Sequence, residues 1–135
     1  MTLTDAATTL ARAIAHAEGY YVQDSLPQRA NNPGDLELGD RGYGVINKKT
    51  VYGSPEEGWA QLEHQCVLII GGIDRYYKNT WTVLQIAETY TGHDSAASWA
   101  KAVQENLGIS ATAPISVLLD PLWKPQWDTT PTPTT

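Results

Sequence analysis

The sequence predicts an α+β fold that is mainly α, with a small β-hairpin or irregular lobe. Three observations support this: apolar residues recur at steps of three and four in several stretches, polar capping residues precede those stretches, and residues 19–53 are rich in Gly, Pro, Asn, Asp and Tyr instead. The 135 residues suit one domain with a single core. We predict that this domain spans residues 1–127 and that residues 128–135, rich in Pro and Thr, form a disordered tail.

The first predicted helix spans residues 3–18, with Thr4 as its N-cap and Gly19 as the residue that stops it. It ends on Glu18, although a helix C-terminus repels negative charge and favours Lys or Arg. The apolar stripe of this helix consists of Leu3, Ala7, Leu10, Ile14 and Ala17.

The segment after this helix is predicted to be irregular. The sequence "NPGD" at 32–35 predicts a type II turn, with Pro33 at the second position and a positive φ at Gly34. The stretches "YGVIN" and "KTVYG" predict two short strands joined at Asn47 and Lys48.

Two helix starts in the second half of the chain have the pattern of a capping box. "SPEEGWAQLEHQCVLII" pairs Ser54 with Glu57, and "TVLQIAETYTG" pairs Thr82 with Gln85. The buried face of the first of these helices is predicted to contain Trp59, Leu62, Cys66 and Ile69.

The last predicted helices lead into the tail. "DSAASWAKAVQENLG" is predicted to begin at a cap formed by Asp94 or Ser95 and to stop at Gly108. "APISVLLD" predicts one further helical piece, opened by its proline. We expect Trp123 and Trp127 to hold the segment that follows against the body of the protein.

The composition argues against several classes of function. A net charge of −6 makes nucleic acid an unsuitable partner, because phosphate binding needs a basic patch. The N-terminus lacks the pattern of a signal peptide and no window is apolar enough to span a bilayer, so we expect a protein made in the cytoplasm that does not bind membranes. A single cysteine permits no internal disulfide, and the three histidines lack metal-binding spacing, so we expect no metal or cofactor.

Glu18 is the first candidate catalytic residue. It follows Ile14 by four residues and therefore lies at the edge of the buried stripe. Partial burial and the negative end of the helix would both raise its pKa. A carboxyl group that is still protonated near neutral pH is what a general acid requires. The alternative, a solvated side chain in a frayed last turn, is favoured by helix-end statistics alone.

Polar and aromatic residues after Glu18 are typical of a cleft for a polyhydroxylated ligand. Asn31 and Asn32 offer amide donors and acceptors, Arg29 offers a guanidinium and Asp35 a carboxylate. The alternative is a tight turn in which the Asn and Asp side chains only cap the backbone. The tyrosines of the predicted cleft wall, whose rings can stack on a ligand, are Tyr20, Tyr21, Tyr43 and Tyr52.

Residues 13–109 resemble the lysozyme-like and lytic-transglycosylase-like domains of phage and prophage proteins. Such domains show a helix ending in Glu, an Asn-Asn-Pro-Gly-Asn loop, an aromatic-Ser-Pro-Glu-x-Gly helix start, and a late helix pair separated by a Tyr or Trp and a polar gap. The matching stretches are, in order, "AIAHAEGYY", "RANNPGDLELGDRGYGV", "VYGSPEEGWAQL" and "TVLQIAETYTGHDSAASWAKAVQENLGIS".

The resemblance implies a lysozyme-like fold and a monomeric glycosidase that acts on bacterial peptidoglycan. It implies that Glu18 is the general acid for the β-1,4 bond between N-acetylmuramic acid and N-acetylglucosamine. Asp35 stands where the family usually has Asn, so it is a candidate general base or only a turn cap. We expect the protein to reach the wall after lysis, through a holin, or as part of the virion. The expected substrate-binding residues are Tyr20, Asn31, Asn32, Tyr43, Tyr52 and Tyr90.

The sequence does not identify which group, if any, acts as the second carboxylate beside Glu18. An inverting hydrolase needs a base ~6.5–9.5 Å from the acid and a retaining one needs ~5–5.5 Å, whereas a lytic transglycosylase needs no second carboxylate because a hydroxyl of the substrate attacks. Several acids lie close in sequence to Glu18, which favours hydrolysis by a muramidase. The other hypotheses are a non-catalytic phage structural or wall-binding module and a peptidase that depends on Cys66. The candidate second carboxylates are Asp24, Asp35, Glu37 and Asp40.

Overall fold

The computed structural model describes residues 1–128, so apart from Asp128 the predicted disordered tail lies outside the described residues. The described part of the chain is mainly helical with one small antiparallel sheet, which confirms the coarser fold prediction. The elements are α1 (Leu3–Ala17), α2 (Leu26–Arg29), β1 (Val45–Ile46), β2 (Lys49–Thr50), α3 (Pro55–Ile70), α4 (Val83–Tyr90), α5 (His93–Leu107) and a 3-10 helix (Ile115–Leu119).

Helix α1 is the centre of the molecule, because it packs against α3, α5 and the 3-10 helix, while α4 packs against α5. Its buried stripe includes Ala7, Leu10 and Ile14, as the period of three and four residues predicts, whereas Leu3 at the start of the helix is exposed and Ala17 at its end is half-buried. The N-cap lies two residues before the predicted one, since the Thr2 side chain, not that of Thr4, accepts a hydrogen bond from the Asp5 backbone N–H. The fully buried partners of this stripe include Leu62, Cys66, Ile69, Val103, Ile115 and Leu118.

The turn at 32–35 forms, but with a different backbone conformation from the predicted one. The Asp35 N–H donates to the Asn32 carbonyl at 3.0 Å, as a four-residue turn requires. Gly34 does not adopt a positive φ, whereas Asp35 does, at 52°. The type II prediction is therefore wrong. Glycine is needed here for space, because a Cβ on Gly34 would lie 2.6 Å from a methyl carbon of Leu62.

The predicted hairpin is present. Val45 pairs with Thr50 and Ile46 with Lys49 in antiparallel register. The two residues that join the strands, at 47 and 48, both have positive φ, which is the geometry of a type I′ hairpin turn. The hairpin brings Lys49 to the same side of the molecule as the end of α1.

The later helices begin and end close to the predicted positions. Ser54 caps α3 and Thr82 forms a complete capping box with Gln85, as predicted. The box at Ser54 is incomplete, because the Glu57 carboxylate accepts from the Gly53 N–H.

Helix α5 departs from its predicted start. It begins at His93 without a side-chain cap, so the prediction of a cap by Asp94 or Ser95 is wrong. Gly92, with φ of 88°, turns the chain directly into the helix. The stop at Gly108 in a left-handed conformation agrees with the prediction.

Three further features complete the described chain. The short helix α2, capped by Ser25, was not predicted, and the piece at 115–119 is a 3-10 helix. Trp123 packs against the core as expected, but Trp127 is 65 % exposed. Within residues 1–128 no helix combines the length and the apolar character needed to cross a bilayer.

Candidate active site

A cleft of about 830 Å³ opens beside the C-terminal end of α1. One wall is the segment 35–38 with Lys49 of β2, and the other is formed by the end of α4, the start of α5 and the chain between α3 and α4. Hydroxyl, carboxyl and aromatic groups dominate its surface, as suits a ligand rich in hydroxyl groups. The residues that line it include Glu18, Asp35, Glu37, Lys49, Gln65, Asp74, Tyr76, Tyr77, Thr89, Tyr90, Ser95, Ser98 and Trp99.

Glu18 lies in this cleft because α1 ends there. It is the C-cap residue of α1, and Gly19 follows it with φ of 78°, which directs the chain away from the helix axis. The indole N–H of Trp99, from α5, donates to Glu18 Oε1 at 2.7 Å. The carboxyl group is half-buried, so it is not the solvated side chain of the alternative interpretation.

The pKa of Glu18 is raised from 4.5 to about 7, chiefly by burial and then by the negative charge of Asp35. A side-chain hydrogen bond with Asp35 acts in the same direction, while the Trp99 hydrogen bond and the charge of Lys49 lower the pKa. The predicted direction therefore holds, with burial as the largest cause and the neighbouring carboxylate of Asp35 as the next. Glu18 therefore loses its proton near neutral pH, and not in the acidic range in which an exposed glutamate ionises.

Asp35 connects Glu18 to the hairpin. Its Oδ2 lies 3.4 Å from Lys49 Nζ, which also lies 3.0 Å from Glu37 Oε1. Although burial opposes it, the contacts with Glu37 and Asp35 raise the pKa of Lys49 and keep the amine charged. Asp35 Oδ1 is buried, and within the described chain it has no donor while both carboxyl groups are ionised. The side-chain hydrogen bond between Asp35 and Glu18 requires a proton on one of the two carboxyl groups.

Tyr90 is the predicted ligand-binding residue that lines the cleft. Its hydroxyl donates to the Gly34 carbonyl at 2.6 Å, and its ring centroid lies 4.9 Å from that of Trp99. The hydroxyl therefore fastens α4 to the turn, while the ring forms part of the cleft wall. Burial raises the pKa of Tyr90 well above its ordinary value, so the hydroxyl stays protonated.

The two asparagines lie behind the cleft, not in its lining. Asn32 is fully buried, and its amide makes three hydrogen bonds, two with the backbone of Leu36 and one with the carbonyl of Thr50. Asn31 donates to the Tyr52 carbonyl at 3.0 Å. These amides hold the loop in shape, which corrects the expectation that Asn32 contacts a ligand and agrees with the alternative of backbone capping.

The remaining predicted tyrosines also lie outside the cleft lining. Tyr20 packs edge-on against Tyr21 and Trp59. Tyr52 is buried, and Tyr43 is exposed with its ring covering Gly53. None of these rings lines the cleft, which corrects the expectation that they contact a ligand there.

Of the four candidate second carboxylates, only Asp35 and Glu37 line the cleft together with Glu18. Asp24 lies on the surface, where its backbone N–H donates to Gln28. The exposed Asp40 accepts hydrogen bonds from the Gly42 and Gly44 backbones, which lower its pKa. That carboxylate stabilises its own turn and has no part in the cleft.

Sequence reasoning missed the partners of the carboxyl pair, Trp99 and Lys49. Trp99 lies on the buried face of α5 and is only 5 % exposed. A buried indole nitrogen needs an acceptor, which was the signal, but the acceptor lies 81 residues away in sequence. Lys49 gave no signal, because its role depends on the pairing of the hairpin.

Two other chemistries find no support in the described residues. Cys66 is fully buried, and burial raises the pKa of its thiol, so the thiolate that a cysteine peptidase needs is disfavoured. Within residues 1–128 no group of three or more His, Cys, Asp or Glu side chains is arranged to hold a metal ion. No family model matches the chain, and neither does any curated protein or solved structure.

Proposed function

We propose that this protein has a lysozyme-like fold and is a peptidoglycan glycosidase that cleaves the β-1,4 bond between N-acetylmuramic acid and N-acetylglucosamine. The observation that carries the proposal is the Glu18 carboxyl group, which faces the cleft with a pKa raised to about 7. The resemblance of residues 13–109 supplies the substrate class.

Glu18 acts as the general acid. It transfers its proton to the glycosidic oxygen while the bond between that oxygen and C1 of the muramic acid breaks, and positive charge develops at C1. A proton donor in position contributes about 10²–10⁴-fold to the rate of such a reaction. The carboxylate that remains is stabilised by the Trp99 N–H and by the charge of Lys49.

The cleft suits a glycan strand. Its volume of about 830 Å³ lies within the range of ~300–1,000 Å³ that is usual for ligand sites. The ring of Tyr90 offers an apolar surface, and Ser95, Ser98 and Thr89 offer hydroxyl groups to sugar hydroxyls and acetamido groups.

The group that attacks C1 distinguishes two versions of the reaction. In a muramidase, water adds its oxygen to C1, and its proton goes to a base. Glu37 and Asp74 are the cleft carboxylates that are not hydrogen-bonded to Glu18, and Glu37 is the one that follows Glu18 in the adjoining loop. In a lytic transglycosylase, the C6 hydroxyl of the muramic acid attacks C1, its proton returns to Glu18, and a 1,6-anhydro product forms.

A specific observation favours the second version as an alternative. Asp35 is in hydrogen-bond contact with Glu18, which is closer than the ~5–5.5 Å of a retaining pair or the ~6.5–9.5 Å of an inverting pair. The contact leaves no gap for a water molecule between the two carboxyl groups. Asp35 therefore serves to keep Glu18 protonated, and a reaction with one acid needs no other carboxylate.

The test compares Glu18→Gln with the wild-type protein on purified cell walls at pH 6. We expect the turbidity assay to lose at least 10²-fold of its rate, because glutamine cannot donate the proton. Glu105→Gln is the matched control, since Glu105 is exposed on α5 and lies outside the cleft lining. Full activity of Glu18→Gln would end the proposal.

Mass spectrometry of the digest separates the remaining hypotheses. Reducing muramic ends identify a muramidase and 1,6-anhydro ends identify a lytic transglycosylase. Sedimentation with peptidoglycan without release of fragments identifies a wall-binding module and contradicts the enzymatic proposal.

A further inference from the structure

We propose that the exposed ring of Tyr76 is a stacking surface for a sugar unit of the bound glycan strand, and that Asp74 and Gln65 are positioning residues that hold this ring in the cleft wall. The inference rests on the proposed function for its substrate class, a strand of β-1,4-linked N-acetylated sugars. Binding of such a strand can be measured without any cleavage.

Tyr76 differs from the other aromatic residues that line the cleft in the exposure of its ring. Trp99 is 5 % exposed, and the rings of Tyr77 and Tyr90 pack against the core. Tyr76 lines the same cleft and is 66 % exposed. Covering apolar ring surface that is in contact with water favours binding. The faces of a pyranose ring carry C–H groups, which can pack on an aromatic ring while the sugar hydroxyls reach polar partners.

The backbone of Tyr76 is held by the carboxylate of Asp74, which uses both of its oxygens. Asp74 Oδ1 accepts a hydrogen bond from the Tyr76 backbone N–H at 2.7 Å, and Asp74 Oδ2 accepts one from Gln65 Nε2 at 2.7 Å. Gln65 belongs to α3, which packs against α1, the helix that ends at Glu18. The position of Tyr76 is therefore set by a helix of the core and not only by the exposed chain around it.

The rest of the segment between α3 and α4 is also anchored to α3. The Ile73 backbone N–H donates to the Leu68 carbonyl at 3.1 Å, and the Asn79 side-chain amide donates to the Ile70 carbonyl at 3.1 Å. A site that is already ordered loses less conformational entropy when a ligand binds. The segment therefore presents Tyr76 as a preorganised surface.

Arg75 restrains the ring of Tyr76 without filling the cleft. Its guanidinium carbon lies 5.3 Å from the centroid of the ring, in a cation–π contact. Arg75 is exposed and is not one of the residues that line the cleft. The contact therefore leaves the cleft side of the ring to a ligand. A strand that presents its glycosidic oxygen to Glu18 lies between the two cleft walls, and Tyr76 supplies one of them with a flat apolar surface.

The first test measures binding of the β-1,4-linked hexamer of N-acetylglucosamine by isothermal titration calorimetry. All proteins carry Glu18→Gln as the parent substitution, so that the hexamer is not cleaved. We expect Tyr76→Ala to raise the Kd by about tenfold, because the stacking surface is lost. Tyr76→Phe keeps the ring and should bind within about twofold of the parent.

Tyr43→Ala is the matched control, because Tyr43 is a tyrosine of similar exposure, 60 %, that lies outside the cleft lining. Its Kd should equal that of the parent. An equal Kd in Tyr76→Ala and in the parent overturns the proposal, and so does a parent that does not bind the hexamer. Since the Tyr76 side chain is exposed, Tyr76→Ala should keep the Tm of the parent.

The second test asks whether Gln65 acts through Tyr76. Gln65→Met keeps the length of the side chain and removes the donor to Asp74, so it should raise the Kd by about fivefold. In the double variant with Tyr76→Ala, the Kd should equal that of Tyr76→Ala alone, because no ring is left to position. Effects that multiply in the double variant would show that Gln65 acts independently of the ring, which overturns its positioning role.

Cell-wall digestion by proteins that retain Glu18 separates this inference from the proposed function. A stacking surface binds the substrate and the transition state equally well, so Tyr76→Ala should raise KM by about tenfold at unchanged kcat. An unchanged KM contradicts the inference and leaves the glycosidase proposal intact. Hexamer binding that depends on Tyr76, in a protein that releases no fragments from walls, supports the inference and contradicts the proposed function.

Discussion

Asn32 and Asp35 lie three residues apart on one turn, and both are largely withdrawn from solvent, yet their hydrogen bonding is opposite. The amide of Asn32 has three backbone partners and is fully buried. One oxygen of Asp35 is buried with no partner from the described chain unless Glu18 carries a proton. The inner side of the turn is therefore fully hydrogen-bonded, whereas its outer side contains a buried carboxylate oxygen without a partner from the described chain.

The comparison separates a group that stabilises the fold, the Asn32 amide, from groups that are suited to proton transfer, the carboxyl groups of Glu18 and Asp35. Buried polar groups in folded proteins are nearly always paired, so an unpaired buried oxygen calls for a specific explanation. Here the explanation is a carboxyl pair that retains a proton. The hydrogen bonds of Asn32 stabilise the turn. That stability holds Asp35 beside Glu18, although the pair is unfavourable when both carboxyl groups are ionised.

We expect the largest effect from removing the hydrogen bonds of Asn32. Asn32→Ala removes three hydrogen bonds and leaves the backbone groups of Leu36 and Thr50 unpaired in the interior. We expect the free energy of unfolding to fall by about 4 kcal/mol in a urea titration, since each unpaired buried group costs about 1–3 kcal/mol. Asn31→Ala, with one hydrogen bond to Tyr52, should lose only about 1 kcal/mol. Equal losses would show that the turn is not organised around Asn32.

The next effect concerns the carboxyl pair, where we expect a substitution to increase the free energy of unfolding. Because the pKa of Glu18 rises from 4.5 to about 7 on folding, the protein loses stability as the pH rises between these values. Glu18→Gln resembles the protonated form at every pH. We expect it to be more stable than the wild-type protein by about 3 kcal/mol at pH 8.5 and equally stable at pH 4. Chemical denaturation at the two pH values checks this, and equal stability at pH 8.5 would mean that Glu18 ionises freely.

The smallest effect sharpens the comparison within the carboxyl pair. Asp35 raises the pKa of Glu18 through its charge and its hydrogen bond, so Asp35→Asn should lower the proton affinity of Glu18 by about tenfold. The alkaline limb of the pH–activity profile should then move to lower pH, because Glu18 loses its proton more readily. An unmoved limb in a stable Asp35→Asn protein would show that Asp35 acts only as a turn residue.

The sequence predicted the elements that depend on local rules. Apolar residues at steps of three and four located α1, and the boxes at Ser54 and Thr82 located the starts of α3 and α4. The dipeptide at 47–48 marked the hairpin. Local rules failed at Gly34, where glycine is needed because a side chain would clash with Leu62 of another helix. They also failed at the start of α5, where Gly92 takes the place of a residue with a capping side chain.

The sequence by itself determined that a carboxylate ends the first helix, because helix length and the stop at Gly19 follow from neighbouring residues. Only the tertiary structure decided that this carboxylate is half-buried, bound by Trp99 and paired with Asp35, and that the asparagines of the loop point inwards. The physical reason is that a pKa depends on burial and on charges within a few ångströms. Those surroundings come from residues that packing brings together across as many as 81 positions of the chain.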